Sequence, residues 1–134
     1  MKLFDRDFTL LQKSLDFRTQ RNTMLSSNVA NLETPGFKAK DLVFEKALGT
    51  ALKASQPGPL RVTNPRHLDG RPPTPLSQVR SEVINTANAV GNVDGNTVDL
   101  EKEMAKLGEN QLAYQALTQM ISYKFAKLKA VIRE

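Results

Sequence analysis

The sequence contains no cysteine and only one histidine among its 134 residues. Without cysteine, neither a disulfide framework nor a thiolate metal site can form. Folding therefore does not depend on the redox state of the compartment. His67 stands in a proline-rich stretch, with no second histidine or cysteine to complete a metal site or a catalytic triad. We interpret it as a solvated loop residue.

Motifs of catalysis and of nucleotide binding are also missing. The chain has no glycine-rich phosphate loop, no Gly-x-Ser-x-Gly elbow and no His-Glu-x-x-His helix. The neighbouring carboxylates Asp99, Glu101 and Glu103 lie where a helix start favours negative charge, which explains them without a catalytic role. The sequence therefore predicts a protein that is not an enzyme, with no cofactor, no metal and no small-molecule substrate.

Long apolar runs are absent as well. No stretch approaches the roughly 18 apolar residues that a membrane-spanning helix needs. Charged residues interrupt the first seven positions, so the apolar core of a secretory signal is not found there. We expect export, if the protein leaves the cytoplasm, to proceed without a cleaved signal peptide.

The formal net charge of +5 raises the question of a polyanionic partner. A binding stripe would need several basic residues together, because phosphates are neutralised by clustered Lys and Arg. The N-terminal bases are instead interleaved with acids, which is typical of a solvated mixed-charge face. We expect no nucleic-acid partner, and keep a basic helical nucleic-acid-binding module as an alternative. The interleaved residues are Lys2, Asp5, Arg6, Asp7, Lys13, Asp16, Arg18 and Arg21.

The apolar residues concentrate at the two ends of the chain. Over residues 3–32 they recur in alternating steps of four and three, which predicts a long helix with a coiled-coil-like seam. Arg18 and Asn22 interrupt this seam, either as buried polar groups that set register or because the apolar face drifts around the helix. A second row flanks the seam. The seam is Phe4, Phe8, Leu11, Leu15, Arg18, Asn22, Leu25, Val29 and Leu32, and the flanking row is Leu3, Leu10, Phe17 and Met24.

Residues 97–133 repeat this pattern and predict a second long helix, with Asn96 or Thr97 as its N-cap. Acidic residues near its start and basic residues near its end suit the helix dipole. Apolar residues off the seam give this helix a second face too. The seam is Leu100, Met104, Leu107, Gln111, Tyr114, Thr118, Ile121, Phe125, Leu128 and Ile132, and the second face is Leu112, Leu117, Met120, Tyr123 and Val131.

The middle of the chain is rich in proline and glycine, which remove backbone donors and favour turns. We expect a turn and a short helical or extended segment over 33–53, then a flexible excursion over 54–96 with little or no strand, at most a short one around 76–83. The predicted fold is a single all-α domain, 1–134, with the terminal helices packed as an antiparallel coiled-coil-like pair. Neighbouring subunits are expected to cover the second faces.

Residues 28–39, hereafter motif 1, form the most specific local feature. Thr34-Pro35-Gly36-Phe37 suits a type II turn, because glycine accepts positive φ at its third position. The helix must therefore end near Asn31. Ala30 allows close approach of another chain, and the amides of Asn28 and Asn31 could bond backbone there. An ordinary helix stop followed by a turn is the alternative interpretation.

Motif 1, with its Asn28-Val29-Ala30-Asn31 and Thr34-Pro35-Gly36-Phe37-Lys38-Ala39, resembles the N-terminal signature of bacterial flagellar rod and hook proteins. Residues 94–99, Asp-Gly-Asn-Thr-Val-Asp, hereafter motif 2, and residues 109–116 are similar to those of the short proximal-rod proteins of the flagellar basal body. The likeness covers both ends of the chain, about half its residues. Another short rod protein of the family and a secretion-chaperone-like helical hairpin remain alternatives.

The resemblance implies a structural subunit of the proximal rod, self-assembling through its terminal helices into the drive shaft and export channel. It implies as partners copies of the chain itself, other rod proteins, rod-base and membrane-ring proteins, and the flagellar type III export apparatus. The implied location is the rod in the periplasmic space. The expected contact residues are Asn28, Ala30, Asn31, Thr34, Pro35, Gly36 and Phe37 in motif 1, and Leu11, Leu15, Leu25, Val29, Leu107, Tyr114, Ile121, Phe125 and Leu128 in the seams.

Overall fold

The computed structural model describes residues 2–54, 75–86 and 94–132, with only the backbone of residues 2–6. These residues form helix α1 (Lys2–Ala30), strand β1 (Lys40–Val43), helix α2 (Glu45–Ala54), a 3₁₀ helix (Leu76–Gln78), strand β2 (Glu82–Asn85) and helix α3 (Leu100–Ile132). His67 and much of the predicted flexible excursion, residues 55–74 and 87–93, lie outside the described residues.

Helices α1 and α3 pack against each other along their length in opposite directions. Near the start of α1, the Phe8 and Phe125 rings lie 5.2 Å apart between centroids. Near its end, the Asn28 amide donates to the Glu103 carboxylate at 2.7 Å. Residue numbers thus rise along α1 as they fall along α3, so the expected antiparallel pair of terminal helices is present.

The N-cap of α3 differs from the prediction. Asp99 caps the helix, since its Oδ1 accepts a hydrogen bond from the Lys102 amide at 3.2 Å. Asn96 and Thr97, the expected caps, lie before the first turn and bond instead to the end of α1 and to the segment before β1. Their side chains are engaged by distant backbone groups, which local sequence cannot reveal.

A small sheet corrects the expectation of an all-α fold with little or no strand. Strands β1 and β2 pair antiparallel, with Lys40 opposite Asn85 and Val43 opposite Glu82. The strand expected around residues 76–83 is instead the 3₁₀ helix Leu76–Gln78, with β2 following it. Strand β1 lies within the short helical or extended segment expected over 33–53, but its pairing depends on a partner about forty residues away, which local sequence does not indicate. The fold is mostly helical with a two-stranded sheet.

The hydrophobic core lies on the flanking row of α1. Phe17 is its centre, and its ring lies 5.1 Å from that of Phe44 between centroids. The remaining buried members come from β1, α2 and the segment around the 3₁₀ helix. The middle of the same chain therefore covers the second face of α1. The prediction that neighbouring subunits cover this face is wrong for α1. The core comprises Phe17, Leu42, Phe44, Leu48, Ala51, Leu76 and Val79, with Leu10, Met24 and Leu52 packed against it.

Exposure of large apolar side chains is uneven between the two long helices. None occurs on α1 over residues 7–30, where side chains are described, whereas α3 exposes nine. Of the two polar seam residues, Asn22 is exposed at the helix edge, and Arg18 is half-buried against α3. The nine are Leu100, Met104, Leu112, Tyr114, Met120, Tyr123, Phe125, Val131 and Ile132.

Among the described residues, no helix combines the length and apolar character needed to cross a bilayer.

Replacing Phe17 by Ala should destabilise the protein by about 3–5 kcal/mol, because it leaves a cavity where the core elements meet. Phe125→Ala is the matched control, since that ring is 57% exposed, and it should cost about 1 kcal/mol or less. Urea unfolding followed by circular dichroism measures both. Equal losses for the two variants would contradict this placement of the core.

Candidate functional site

The candidate site is the joint at which the end of α1, the start of β1 and the start of α3 meet. Motif 1 enters it directly after α1. The Phe37 amide donates to the Thr34 carbonyl at 3.3 Å, and Gly36 has φ of +73°. This geometry confirms the predicted type II turn. Thr34, Pro35 and Gly36 are exposed, as is Ala30, whereas Phe37 is half-buried.

Motif 2 lies directly on motif 1, although they are some sixty residues apart in the chain. The Gly36 amide donates to the Asp94 carbonyl at 3.0 Å, and the Thr97 amide donates to the Phe37 carbonyl at 3.0 Å. The Ala39 amide donates to the Thr97 hydroxyl, also at 3.0 Å. Gly95 has φ of +76°, and a Cβ built there would lie 3.8 Å from the Gly36 Cα. The two motifs singled out in the sequence thus form one structural unit.

Asn96 of motif 2 caps the end of α1. Its side-chain Nδ2 lies within hydrogen-bonding distance of three carbonyls, those of Asn31 at 3.0 Å, Leu32 at 2.8 Å and Thr34 at 2.9 Å. Its Oδ1 accepts from the Val98 amide at 2.8 Å. The residue is 0% exposed. These three carbonyls belong to the turn that follows Ala30, the last residue of α1, and a side chain distant in the sequence supplies a donor to them.

Asn28 joins three elements. Its Oδ1 accepts from the Lys40 amide at 3.0 Å, and its Nδ2 donates to the Lys40 carbonyl and to the Glu103 carboxylate, both at 2.7 Å. We expected the amides of Asn28 and Asn31 to bond the backbone of another chain. Asn28 bonds the backbone of its own chain, and Asn31 donates to the Ser27 carbonyl one turn earlier in α1.

An alternating row of charges continues from Glu103 across the joint. The Glu103 carboxylate accepts from Lys106 at 2.9 Å, and the Lys106 ammonium lies 3.4 Å from Asp41. Asp41 in β1 receives two hydrogen bonds from the Arg21 guanidinium, at 2.8 and 3.0 Å. Because opposite charges alternate, each buried carboxylate has a cationic partner, which offsets the cost of taking it out of water.

The far end of this charge row reaches α2 and returns to α3. The Arg21 Nη1 donates to Glu45 at 3.3 Å, and Arg18 lies 3.7 Å from the same carboxylate. Arg18 also stacks over the Phe44 ring at 5.0 Å. Its backbone carbonyl accepts from the Asn110 amide at 2.8 Å. The row therefore connects α1, β1, α2 and α3.

Two competing effects act on the pKa of Asp41. Burial raises it, whereas the hydrogen bonds from Arg21 and the Leu42 amide and the positive charges of Arg21 and Lys106 lower it. The lowering effects dominate, so the pKa of Asp41 lies below its ordinary value. The same pairing raises the pKa of Arg21.

Two polar residues in the first half of α3, Glu103 and Asn110, contact α1, and neither is a predicted seam position. Glu103 and Asn110 are 3% and 2% exposed, whereas Met104 and Gln111, the expected seam positions beside them, are exposed. An apolar-periodicity count cannot find a contact row made of polar residues. The one available signal was the seven-residue spacing of Glu103, Asn110 and Leu117, the last of which is half-buried.

The predicted seam residues fall into two groups. On α1, Leu11 and Leu25 are buried and Leu15 and Val29 half-buried. On α3, Leu107, Ile121 and Leu128 are half-buried, whereas Tyr114 and Phe125 are exposed.

Within the described residues, no group of three or more acidic or histidine side chains is arranged to hold a metal ion.

The sequence was compared with those of known proteins. It is 34% identical over 131 residues to the flagellar basal body rod protein FlgB of Aeromonas hydrophila, covering 97% of this chain and 95% of the relative. It is 31% identical over 137 residues to FlgB of Bacillus subtilis, covering 98% and 97%. FlgB of Borreliella burgdorferi is 27% identical over 135 residues, covering 99% and 100%. No protein-family model matches the sequence.

Asn96→Ala should destabilise the protein by about 2–3 kcal/mol, because the Leu32 carbonyl loses its side-chain donor and the Asn31 and Thr34 carbonyls keep only a backbone donor. Asn22→Ala, at an exposed position of α1, serves as the control and should change stability by about 0.5 kcal/mol at most. Thermal unfolding followed by circular dichroism compares the two. An Asn96→Ala variant as stable as the control would show that the cap contributes nothing.

The lowered pKa of Asp41 predicts a pH dependence of stability. A carboxyl group whose pKa is lower in the folded state stabilises the fold above its unfolded pKa of about 4, and this contribution disappears as pH falls through the folded pKa. Asp41→Asn should therefore cost about 3 kcal/mol at pH 7 and much less at pH 2–3. Urea unfolding at both pH values tests this, with exposed Asp16→Asn as the control. A loss independent of pH would contradict the ionic role.

Proposed function

The chain belongs to the family of the flagellar basal body rod protein FlgB, and from this membership we propose that it is a structural subunit of the flagellar basal body rod. The observation that carries the proposal is similarity over the entire length. The match to the Aeromonas hydrophila protein covers 97% of this chain. It therefore includes the segment between the terminal helices as well as the helices themselves. Its role is mechanical, and motility is the process it serves.

We propose further that copies assemble through their terminal helices into the drive shaft and its central export channel. The unequal exposure of the two helices supports this. Helix α1 is covered on one side by α3 and on another by the middle of the chain, whereas α3 retains exposed apolar side chains from Leu100 to Ile132. Large exposed apolar surfaces on a folded chain are typical of interaction sites.

The joint suits a subunit that transmits torque. A load on strand β1 passes to α1 through the Arg21–Asp41 pair and to α3 through Lys106 and Glu103. No buried side-chain nitrogen or oxygen among the described residues lacks a hydrogen-bond partner. A fully satisfied polar network gives the elements a single relative position, which a rigid shaft requires.

The exposed part of motif 1 is our candidate for a contact with a neighbouring subunit. Thr34, Pro35, Gly36 and Ala30 are accessible, while Asn28 is buried and holds the turn to β1. Asn31 braces the turn, because its Oδ1 accepts from the Thr34 hydroxyl at 3.2 Å. Buried Asn28 and the brace from Asn31 thus orient the exposed residues of motif 1.

The proposed partners are copies of this chain, other rod proteins, rod-base and membrane-ring proteins, and the flagellar type III export apparatus. The proposed location is the rod in the periplasmic space, reached without cleavage of a signal peptide. These assignments rest on family membership. Basic side chains of the helix pair are largely engaged with acids, as Lys124 is with Asp7 and Arg21 with Asp41, which supports a protein partner over nucleic acid.

Deleting the gene should abolish motility and leave basal bodies without a complete rod, because the proximal part of the shaft would be missing. Motility assays and electron microscopy of purified basal bodies measure both effects. Expression of the wild-type chain from a plasmid should restore both and serves as the control. Complete, rotating flagella in the deletion strain would refute the assignment.

A further inference from the structure

The turn of motif 1 presents four consecutive exposed residues in a fixed shape, hereafter the exposed turn. From below, the buried Asn96 amide bonds the carbonyls of Leu32 and Thr34, at 2.8 and 2.9 Å. The Gly36 amide donates to the Asp94 carbonyl at 3.0 Å. A surface that is ordered before it binds loses little conformational entropy on binding. The exposed turn comprises Glu33, Thr34, Pro35 and Gly36.

A groove of about 450 Å³ lies between α2, the 3₁₀ helix and the ends of the two strands. Its apolar lining includes Val43 and Val79, and Val43 is 37% exposed. Val83 and Ile84, at 51% and 38%, follow Glu82 of the groove along β2 and extend the exposed apolar surface over the sheet. An exposed apolar surface around a groove is typical of an interaction site.

The groove and the exposed turn have complementary charges. Lys46 and Arg80 line the groove together with one acid, Glu82, whereas the exposed turn carries only the acid Glu33. None of these four side chains forms an ion pair with another described residue. Turn on turn would bring two acids together and groove on groove two net positive surfaces, and both cost free energy. Turn in groove brings an acid to two cations.

The exposed C-terminal half of α3 does not match this groove. Residues 110–123 contain no charged side chain, and residues 124–132 contain only basic ones, so this half of the helix has no acid for Lys46 and Arg80. Packing its apolar side chains on Val43 would take the two cations out of water without an acid beside them, which costs free energy.

Shape separates Glu33 from the exposed acids of the long helices. An α-helix with its side chains is about 10–12 Å across, so it meets the groove only with its surface, whereas a four-residue turn can enter it. Glu33 is therefore the acid best placed to reach the cations of the groove. The exposed helix acids that form no ion pair among the described residues are Asp16, Glu101 and Glu109.

We propose that the exposed turn of one copy inserts into the groove of the next copy, with Glu33 beside Lys46 and Arg80. This inference rests on the proposed rod function and names the partner of the exposed part of motif 1. The turn precedes β1 and the groove lies at the far end of that strand, at Val43, so about 10 Å of strand separates the two surfaces. A contact between two different surfaces is heterologous and continues from copy to copy as a ring or a helical filament.

Charge reversal tests this contact in the full-length chain, expressed in the deletion strain. Glu33→Lys should lower the amount recovered in purified basal bodies about tenfold, because a third cation would then meet Lys46 and Arg80. Adding Lys46→Glu should restore most of this loss. Lys53→Glu, exposed on the same helix but outside the groove, is the matched control and should restore nothing.

Three results would overturn the inference: recovery of Glu33→Lys equal to that of the wild type, equal restoration by Lys46→Glu and Lys53→Glu, or restoration by neither. Circular dichroism of each purified variant checks that the helices are intact, as expected because all the substituted residues are exposed. Absence of the wild-type chain from purified basal bodies would instead refute the rod function itself.

Disulfide formation is a second measurement, because the chain has no cysteine of its own. Thr34→Cys/Gln78→Cys places one thiol in the exposed turn and one in the groove, and oxidation of basal bodies should give products of three or more copies. Each single variant should remain monomeric, as should the control pair Thr23→Cys/Gln78→Cys, whose first thiol lies on the exposed side of α1. Monomers alone from Thr34→Cys/Gln78→Cys would mean that a second copy does not occupy the groove, and multimers from the control pair would equally contradict the contact.

Discussion

The amide of Asn28 is bonded to β1 and to α3 at once, and the rest of the structure depends on this arrangement. A buried amide that loses its partners costs about 1–3 kcal/mol, so the end of α1 is stable only when both other elements are in place. Asn96 imposes the same condition from the opposite side, because it caps α1 from the segment preceding α3. The two terminal helices and the sheet are therefore stabilised as one unit.

This joint determines which apolar faces of the two long helices remain exposed. By holding β1 and α2 against α1, it places Phe17 in a core formed within the chain. The second apolar face of α1 is therefore buried within the chain and is not available to neighbouring subunits. Helix α3 has no such cover among the described residues. Of the two long helices, the C-terminal one thus carries the exposed large apolar side chains among the described residues.

The helices and the turn were predictable because their signals are local. Apolar periodicity identified both terminal helices to within about three residues at the described ends, and Pro35-Gly36 indicated a type II turn whose φ of +73° the structure shows. The periodicity of apolar residues did not predict the contacts between α1 and α3 that polar side chains make. The helix dipole explains Glu103 in the sequence, and Asn110 is not a seam position, although both are buried and hydrogen-bonded to α1. The pairing of β1 with β2 escaped prediction, because two short extended segments stabilise each other only as a pair.

Local sequence accounts for the two long helices, the stop and turn after the first, and the family resemblance of motifs 1 and 2. The fold alone shows that these motifs bind each other, that Asp99 caps α3 while Asn96 bonds the turn after α1, and that the middle of the chain covers Phe17. The physical reason is the range of the interactions. Helix periodicity and turn geometry arise between residues a few positions apart, whereas a hydrogen bond between Asn28 and Glu103 joins residues 75 positions apart and leaves no periodic trace in the sequence.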